Sequence, residues 1–393
     1  MDAIEDSKKF RKILDEFIEE FPELFPNGIN NGYRMKEIRR SKKLNIPVRR
    51  ITVDSIPYTM RPSFVMPYHT AFADDVEKAL FLRKVNVPFW ALTYVFGKND
   101  MYWHRMEQSL GRNSVVGTTI KSPDLLPENV AADEKHSRLR GEKVYVPTTV
   151  GDQCILGASV SEDAGERGLK KGYGKFKEEA LNVNPEYVPK SVNTDGWRAT
   201  MKTWISLFPE ISVICCFLHV FIKIRDRSRK KFRELFIIAA DKMWNCYEAA
   251  SKASFSQRVR RLCEWAGGEE IPDVISKPIM KLKESISNYS KAYDLPGCHR
   301  TSNMIDRLMQ RMDRHLSSTF YFHGSLAAAE LSIRGWALIH NFAPCNPWTI
   351  KKHDGWKSPA EWLNKSRYHE NWLQNLLISA SMGGFRHPPP NPL

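Results

Sequence analysis

The chain has 393 residues, of which 42% are hydrophobic, and its net charge at neutral pH is +14. This hydrophobic content excludes a globally disordered chain, and no apolar run approaches the ~20 residues of a membrane-spanning helix, so we expect no membrane partner. The excess of positive charge favours a polyanionic partner, and nucleic acid is the commonest of these. Seven scattered cysteines and a charged N-terminal sequence indicate reduced thiols in an intracellular compartment.

The N-terminal segment is predicted to be a helix followed by a basic stretch. Residues 1–25 have the periodicity of an amphipathic helix, which the sequence NGINNG ends. Its predicted apolar face comprises Phe10, Ile13, Leu14 and Phe17. Residues 33–50 carry eight Lys or Arg against one acid, which is typical either of a solvated loop or of an arm lying along DNA phosphates. The candidate phosphate contacts in this stretch are Arg39, Arg40, Lys42 and Lys43.

Residues 72–117 have the pattern of short helices joined by a tight glycine turn. The third helix begins with a cap at Asn99 or Asp100. The predicted bounds of the three helices are 72–86, 88–97 and 99–111. This outline is typical of a helix-turn-helix motif, although helical hairpins that do not bind DNA share it. If the third helix reads DNA, its exposed side chains would be His104, Arg105 and Gln108.

Strand periodicity begins at residue 129 and predicts a mixed sheet. Three strands separated by small turns form a meander, and a strand, an amphipathic helix and a further strand follow. The predicted strands are 129–139, 142–150, 154–161, 189–196 and 210–217, with the helix at 197–208. The inward side chains of that helix are predicted to be Trp197, Met201, Trp204, Ile205 and Phe208. The glycine-rich GERGLKKGYG is not expected to hold a nucleotide phosphate, because no strand-to-helix context is evident.

The remainder of the chain is predicted to be helical. Residues 219–295 form a basic helical region, and two helices at about 302–316 and 325–342 complete the fold. A further helix follows, and the final RHPPPNPL is expected to be disordered.

Two aspartates stand at the ends of apolar stretches. Asp133 follows NVAA in the first predicted strand of the sheet, and Asp195 ends the fourth. Phosphodiester cleavage at two divalent ions requires hard oxygen ligands that converge from different elements. A turn or cap role is the ordinary alternative for a single aspartate. Three acids compete with Asp133: Glu134, which a two-residue period places on the opposite face, and Asp152 and Asp163, which fall in predicted turns.

The segment TDGWRATMKTWISLFPEISVICCFLH resembles the core signature of Mutator-type DDE transposases and their bacterial insertion-sequence relatives. That signature consists of an aspartate at a strand end, a helix, Phe-Pro, a strand, and Cys-x-x-His leading into basic residues. In this chain those positions are occupied by Asp195, Phe208-Pro209, and Cys216 to His219 before KIRDRSRKK. The first acid of the family matches Asp133, and the last, which follows a helical insertion, matches Asp306 in RTSNMIDRLMQRMDR.

The resemblance covers roughly residues 130–345 and implies a ribonuclease H-like fold. This fold is α/β, with a mixed five-stranded sheet and flanking helices, a helix-turn-helix-like N-terminal region and a long all-α insertion. The implied units are an N-terminal helix and basic arm (1–71), a DNA-binding region (72–127), the catalytic core (128–218 with 296–345), the insertion (219–295), and a C-terminal helix with the tail (346–393).

The resemblance also implies an activity. The protein would be a transposase that binds terminal inverted repeats and target DNA, as a homodimer or higher oligomer, at the cytoplasmic nucleoid. Three carboxylates would hold two Mg²⁺ or Mn²⁺ ions, water would cut the strand, and the freed 3′-hydroxyl would attack target DNA. The alternatives are a catalytically inactive, transposase-derived DNA-binding protein and a structure-specific nuclease on the same fold.

The third acid departs from the family, which usually has glutamate where this chain has Asp306. Aspartate is one methylene shorter, a difference in reach of about 1.5 Å. Glu330 on the next predicted helix is the rival. The matching neighbours favour Asp306, whose helix is predicted to be capped by Thr301 or Ser302.

Cys216 and His219 are spaced to share one face of a helix. Half of a zinc site or a histidine close to DNA is one interpretation. A buried thiol with a hydrogen-bonded histidine is favoured, because two further zinc ligands with regular spacing are missing and Cys215, Cys298 and His299 offer none.

Two basic stripes flank these positions. One lies in the helix after His219, and the other lies beside Asp306 at helical spacing, so that its members share one side of the helix. A solvated face is the ordinary interpretation of such stripes, and the resemblance favours phosphate contact. The candidate DNA contacts are Lys223 and Arg225 in the first stripe and Arg307 and Arg311, followed by Arg314, in the second.

Overall fold

The computed structural model describes residues 3–42, 44–67 and 69–381. The predicted DNA contact Lys43 and the predicted tail RHPPPNPL lie outside these residues. Within them the chain forms an α/β protein with seventeen α-helices and two sheets. The strands are β1 (Arg34–Arg40), β2 (Pro47–Val53), β3 (Ile56–Met60), β4 (Asn129–Leu139), β5 (Glu142–Gly151), β6 (Cys154–Ala158), β7 (Ser191–Thr194) and β8 (Ser212–Cys215). The helices are α1 (Ser7–Glu20), α2 (Ala73–Lys84), α3 (Phe89–Phe96), α4 (Asp100–Leu110), α5 (Val115–Thr119), α6 (Glu166–Val183), α7 (Arg198–Leu207), α8 (Phe217–Ser228), α9 (Arg233–Tyr247), α10 (Lys252–Ala266), α11 (Asp273–Glu284), α12 (Ile286–Ser290), α13 (Asn303–Ser318), α14 (Leu326–Phe342), α15 (Pro347–Lys352), α16 (Pro359–Asn364) and α17 (Trp372–Ser379).

The basic N-terminal stretch is a sheet, so the prediction of a solvated loop is wrong, and the contact of this stretch with DNA phosphates stays a prediction. Strands β1, β2 and β3 form an antiparallel sheet that packs against α1 through a small hydrophobic cluster containing Leu14 and Ile51. The β2–β3 hairpin turns at Asp54 and Ser55, which both have positive φ, the conformation that a two-residue hairpin requires. Of the apolar face predicted for α1, only Leu14 is buried.

Helices α2, α3 and α4 follow the predicted bounds closely. The side chain of Asn99 caps α4 by accepting a hydrogen bond from the backbone of Tyr102 at 2.8 Å, and Gly97 ends α3 at a φ of +72°. These helices do not form a separate core. Their apolar side chains, such as Leu92 and Met106, belong to one hydrophobic cluster with β5 and α14. The predicted boundary at residue 127 therefore does not separate two cores.

The five-stranded sheet has the order β6-β5-β4-β7-β8 and confirms the predicted α/β class with a mixed sheet. Strand β5 pairs antiparallel with β4 and with β6, whereas β7 pairs parallel with β4 and with β8. Alternate residues of β4 face opposite sides: Ala131 packs in the cluster with α13 and α14, and Val130 and Ala132 pack in the cluster with α6 and α7. Helices therefore cover both faces.

The glycine-rich segment opens α6, an 18-residue helix that the sequence pattern does not reveal. A strand-to-helix context is therefore present, contrary to the prediction. The glycines serve close packing: a Cβ at Gly172 would lie 2.7 Å from the Pro147 side chain, and one at Gly168 would lie 2.3 Å from the carbonyl oxygen of Asp163. These glycines let the helix approach β5 and the loop before it.

Helix α7 packs on the same face as α6, but not through every residue predicted. Trp204 and Phe208 are buried and stack on each other, and Met201 is half-buried. Trp197 and Ile205 are 36% and 49% exposed, so their predicted inward orientation is wrong. The reason is geometric: residue 205 is turned by about 100° from Trp204, and Trp197 precedes the helix.

The region after β8 is helical, as predicted. Helices α8 to α12 enclose a hydrophobic cluster of their own, which includes Phe217, Phe255 and Ile279. Beyond α14 there are three short helices rather than one, and Trp372 and Leu376 of α17 join the cluster of α14. In the described ranges, no helix combines the length and the apolar character required to cross a bilayer.

Candidate active site

Asp133 and Asp195 lie side by side on neighbouring parallel strands. In the pairing of β4 with β7, Ala131 lies opposite Asn193. Asp133 is two residues after Ala131, and Asp195 is two residues after Asn193. Asp195 is the residue directly after β7, and Gly196, at a φ of +88°, then turns the chain out of the sheet. Since neighbouring strands are about 4.8 Å apart, the two carboxylates share one face and one level of the sheet.

The electrostatics of Asp133 show that the third acid is close. Burial raises the pKa of Asp133 to about 6, and the negative charges of Asp195 and Asp306 contribute to the increase, whereas a hydrogen bond from the backbone of Glu134 opposes it. Like charges held together in this way disfavour ionisation until a cation compensates them. Strongly perturbed carboxylates of this kind are concentrated at functional sites.

Asp306 reaches the cluster from the first turn of α13. The Ser302 hydroxyl donates to Asp306 Oδ2 at 2.7 Å, and the Ser302 backbone N–H donates to Cys216 Sγ at 3.1 Å. Further along, Asp313 of α13 pairs with Lys135 of β4 at 2.8 Å and fixes the helix over the strand. Ser302 occupies the predicted cap position, but its hydroxyl orients the acid instead of capping the backbone, a role that spacing alone does not reveal.

Glu330, the rival third acid, lies elsewhere. It lines a cavity of about 620 Å³ between α14 and α6, together with Lys171, Lys175 and Arg334. The structure therefore groups Asp306, and not Glu330, with Asp133 and Asp195.

The donor chemistry of the three carboxylates fits a hard divalent cation such as Mg²⁺. Each carboxylate uses one oxygen in a hydrogen bond; Asp195 Oδ1, for example, accepts from the Trp197 backbone at 2.7 Å. Among the described residues, the second oxygen of each has no hydrogen-bond partner in the chain. In the same part of the chain, no three His, Cys, Asp or Glu side chains converge on a single point.

The competing acids have structural roles. Glu134 faces the opposite side of the sheet, as predicted, and accepts hydrogen bonds from Tyr173 at 2.6 Å and Thr200 at 2.7 Å. Burial raises the pKa of Glu134 to about 7 despite these bonds. Asp152 lies in the β5–β6 turn with a φ of +46°, and Asp163 accepts the backbone N–H of Gly165 in the loop before α6.

Cys216 and His219 lie beside the acids at the start of α8 and interact electrostatically with each other. The interaction with Cys216 raises the pKa of His219 to about 8, and the charges of Asp306 and Asp195 add to this. Burial opposes ionisation of Cys216, but bonds from His219 and Ser302 outweigh it and lower the pKa of the thiol. The two carboxylates and Cys216 therefore favour the cationic form of His219. All seven cysteines are in the described residues, and none forms a disulfide.

The predicted DNA-contacting side chains differ in exposure. On α4, Arg105 is exposed, but His104 packs edge-on against Phe89 and Gln108 donates to the carbonyl of Ala328, so the prediction that all three are exposed is wrong. The reason is that α4 packs against α14. Lys223, Arg307, Arg311 and Arg314 are exposed, and Arg225 pairs with Asp226 at 2.9 Å.

The predicted DNA contacts of the N-terminal stretch that the structure describes, on β1 and in the turn that follows it, are all exposed. Arg40 and Lys42 are exposed, and Arg39 pairs with Glu37 at 2.9 Å while remaining 65% exposed. By contrast, the buried Arg49 donates to Ile4 O at 2.8 Å and to Ser7 Oγ, so it is part of the fold.

The sequence prediction that this stretch contacts DNA phosphates has a direct test: replacing Arg39, Arg40 and Lys42 together by Gln should weaken DNA binding and flatten its dependence on salt. Each phosphate that the protein no longer neutralises reduces the slope of log K against log salt by about 0.9, so three phosphates reduce it by about 2.7. Fluorescence anisotropy at several salt concentrations measures the slope. The matched control, with Lys8, Lys9 and Lys12 of α1 replaced by Gln, removes the same charge from exposed positions nearby. Equal slopes for the two variants would show that β1 does not bind the DNA directly.

Comparisons with known proteins assign no family to the chain. None of the protein-family models scanned against it matches, and the search among curated proteins finds no match. The functional interpretation therefore rests on the geometry of Asp133, Asp195 and Asp306 and on the resemblance of the segment around them.

Proposed function

We propose that the chain is a DDE/D-type DNA transposase similar to the Mutator-type enzymes, and that Asp133, Asp195 and Asp306 are its catalytic acids. The observation that carries the proposal is the pairing of two aspartates at one level of adjacent parallel strands, with a third acid above them on α13. The order of the sheet supports a ribonuclease H-like core, since three antiparallel strands are extended by two parallel ones on the side of the acids.

Each side chain of the proposed active site would have a different role. Asp133 and Asp195 would hold divalent cations from the sheet, and Asp306 would complete the set from the helix that Ser302 and Lys135 fix in place. When bound, the cations would neutralise the carboxylates and supply activation of the attacking oxygen and stabilisation of the leaving one. His219, whose pKa is raised, would add positive charge near the position where a scissile phosphate carries negative charge.

The partners follow from the same proposal. The terminal inverted repeats and the target would both be double-stranded DNA, bound by the exposed cations of β1, α8 and α13. Two ends must be cut and joined, so the working form would be a dimer or a larger assembly on DNA. No covalent protein–DNA intermediate is required, because water and then the 3′-hydroxyl are the nucleophiles.

The proposal is tested with DNA taken from both flanks of the coding sequence, where inverted repeats would lie. Purified protein should cut these fragments with Mg²⁺ and join the freed 3′-ends to plasmid DNA. Asp306→Asn should be inactive, while Asp306→Glu, which restores the residue usual in the family, should keep part of the activity. Glu330→Gln should cut normally, because Glu330 lies in a different cavity.

The outcomes separate the alternatives. Specific binding without any metal-dependent cleavage would identify an inactive, transposase-derived DNA-binding protein. Cleavage without joined products would identify a nuclease. Normal cleavage by Asp306→Asn would remove the third acid from the proposed set, and circular dichroism spectra equal to those of the wild type would show that each variant is folded.

A further inference from the structure

Trp90 and Phe320, which we call the aromatic corner, lie beside the C-terminal end of α13, whereas Asp306 lies in its first turn. Helix α13 ends at Ser318, and the loop after it forms a cavity of about 280 Å³ with the start of α3, α4 and α14. Trp90 and Phe320 line this cavity while being 64% and 81% exposed. The volume is just below the ~300–1,000 Å³ typical of small-molecule sites, so the cavity suits a single ring system.

Phe320 is held in place against its backbone preference. It has a φ of +53° and Tyr321 a φ of +70°. The Phe320 N–H bonds to Ser317 O at 3.2 Å and the Tyr321 N–H to Leu316 O at 2.7 Å, which is the pattern of a Schellman motif at the end of a helix. Glycine is strongly preferred at the first of these positions because a Cβ is unfavourable there. An exposed phenylalanine in its place indicates a function for the ring.

The loop presents the ring rigidly. Phe322 is buried, its N–H donates to Arg138 O at 3.0 Å, and its carbonyl accepts from Arg140 N at the end of β4. His104 also lines this cavity, and its buried Nδ1 has no hydrogen-bond partner in the described part of the chain. A buried polar atom without a partner is costly, and a ligand that supplies one relieves the cost.

A basic stripe connects the corner to the acids. Arg307, Arg311 and Arg314 are exposed on one side of α13, and continuing at the same helical spacing leads to Ser318, which lines the cavity. From Asp306 to Ser318 the helix rises about 18 Å, which matches about five nucleotide steps of B-form DNA. The surface between them therefore complements a phosphate backbone.

We infer that the aromatic corner holds an unpaired nucleobase, stacked between Trp90 and Phe320, on a DNA strand whose phosphates follow the arginines of α13. The inference rests on the proposed function for the identity of the strand. Aromatic stacking accepts any base because every base has a π-face, and His104 would add one hydrogen bond to the edge of the base. The cavity would therefore bind a base only where the strand is unpaired, about five nucleotides from the phosphodiester bond that is held at the three acids.

The test uses the full chain in EDTA, so that no strand is cut. A duplex with a five-nucleotide single-stranded tail carries 2-aminopurine at the tip of the tail, and a second duplex carries it in a base pair. Binding should quench the fluorescence of the unpaired probe and leave the paired one nearly unchanged. Trp90→Ala and Phe320→Gly should abolish the quenching and weaken binding of the tailed duplex by about tenfold each, as expected when one stacked ring is removed.

Two controls keep the result interpretable. Trp348 is 72% exposed and does not line the cavity, so Trp348→Ala should quench like the wild type. Phe320→Gly removes a ring that buries little and suits the positive φ, so its melting temperature should be equal to or above that of the wild type. A loss of quenching in this variant therefore cannot come from unfolding.

Quenching that survives in both Trp90→Ala and Phe320→Gly would overturn the inference. So would sedimentation data in which these variants lose self-association while quenching persists, because the corner would then be a contact between copies of the chain. Quenching without metal-dependent cleavage by the wild type would support the corner and refute the proposed function. Metal-dependent cleavage without quenching would support the proposed function and refute the role of the corner.

Discussion

Replacing Asp133 by Asn should abolish metal-dependent strand cleavage and raise the melting temperature of the metal-free protein at neutral pH. The amide has nearly the same shape as the carboxylate but is a poor ligand for Mg²⁺. It also removes a charge that the fold disfavours, since burial and the neighbouring acids raise the pKa of Asp133 to about 6. Because Asp133 is partly accessible, we expect a gain of about 1–2 kcal/mol, or about 2–4 °C.

The pH dependence of this gain has a definite sign. In the unfolded chain the carboxyl loses its proton near pH 4, whereas in the folded chain it keeps the proton up to about pH 6. The folded state therefore binds more protons over this interval, and the wild type loses stability as the pH rises through it. Wild type and Asp133→Asn should melt alike at pH 4, and the variant should be the more stable above pH 6.

Calorimetry with and without Mg²⁺ completes the measurement. The ion should stabilise the wild type by mass action and have little effect on Asp133→Asn. Asp195→Asn should also be unable to cleave. The control Asp241→Asn, at an exposed position on α9, should match the wild type in cleavage and in its response to Mg²⁺. An Asp133→Asn protein that cuts DNA would remove this residue from the site.

Replacing Glu179 by Gln should lower the melting temperature by on the order of 10 °C. Glu179 of α6 is buried, pairs with the buried Arg334 of α14 at 2.6 Å, and accepts the backbone N–H groups of Val115 and Val116 at the start of α5. Loss of its charge leaves the Arg334 guanidinium buried without a counter-ion, which typically costs about 3–5 kcal/mol.

The neighbouring Glu178 provides the matched control. It is exposed and, within the described part of the chain, its ion pair is with Lys175 of the same helix, so Glu178→Gln should change the melting temperature by less than about 1 °C. Combining Glu179→Gln with Arg334→Met should recover part of the stability, because it removes the stranded charge. Equal melting temperatures for Glu178→Gln and Glu179→Gln would show that the buried pair does not stabilise the fold.

Sequence patterns predicted the strands around the acids because their periodicity is clear. β4 to β8 alternate or run continuously apolar, and turn residues separate them, so their bounds were nearly correct. Helix α6 was missed because its first turns contain three glycines and four charged residues, and the packing that stabilises them involves Pro147, which is distant in sequence. Helix propensity is a local property and does not include such contacts.

The candidate site, too, was predicted from the sequence only in part. The positions of Asp133 and Asp195 followed from strand ends, but their shared level depends on the pairing of β4 with β7, across 62 residues of chain. The choice between Asp306 and Glu330 needed the structure, because both lie on amphipathic helices after the insertion and only the packing of α13 over β4 separates them. The hydroxyl of Ser302 and the corner at Phe320 depend on backbone geometry that spacing does not encode.

The long insertion has a consequence for synthesis of the protein. Asp195 and Asp306 are separated by 306 − 195 = 111 residues, most of them in helices α8 to α12. At about 5–20 residues per second, a ribosome needs about 6–22 s to add them. During that interval the strands that carry Asp133 and Asp195 can already pair, but the third acid does not yet exist. A nascent chain, or one truncated before α13, therefore lacks the complete acid set, and under the proposed function only a chain synthesised through α13 could cleave DNA.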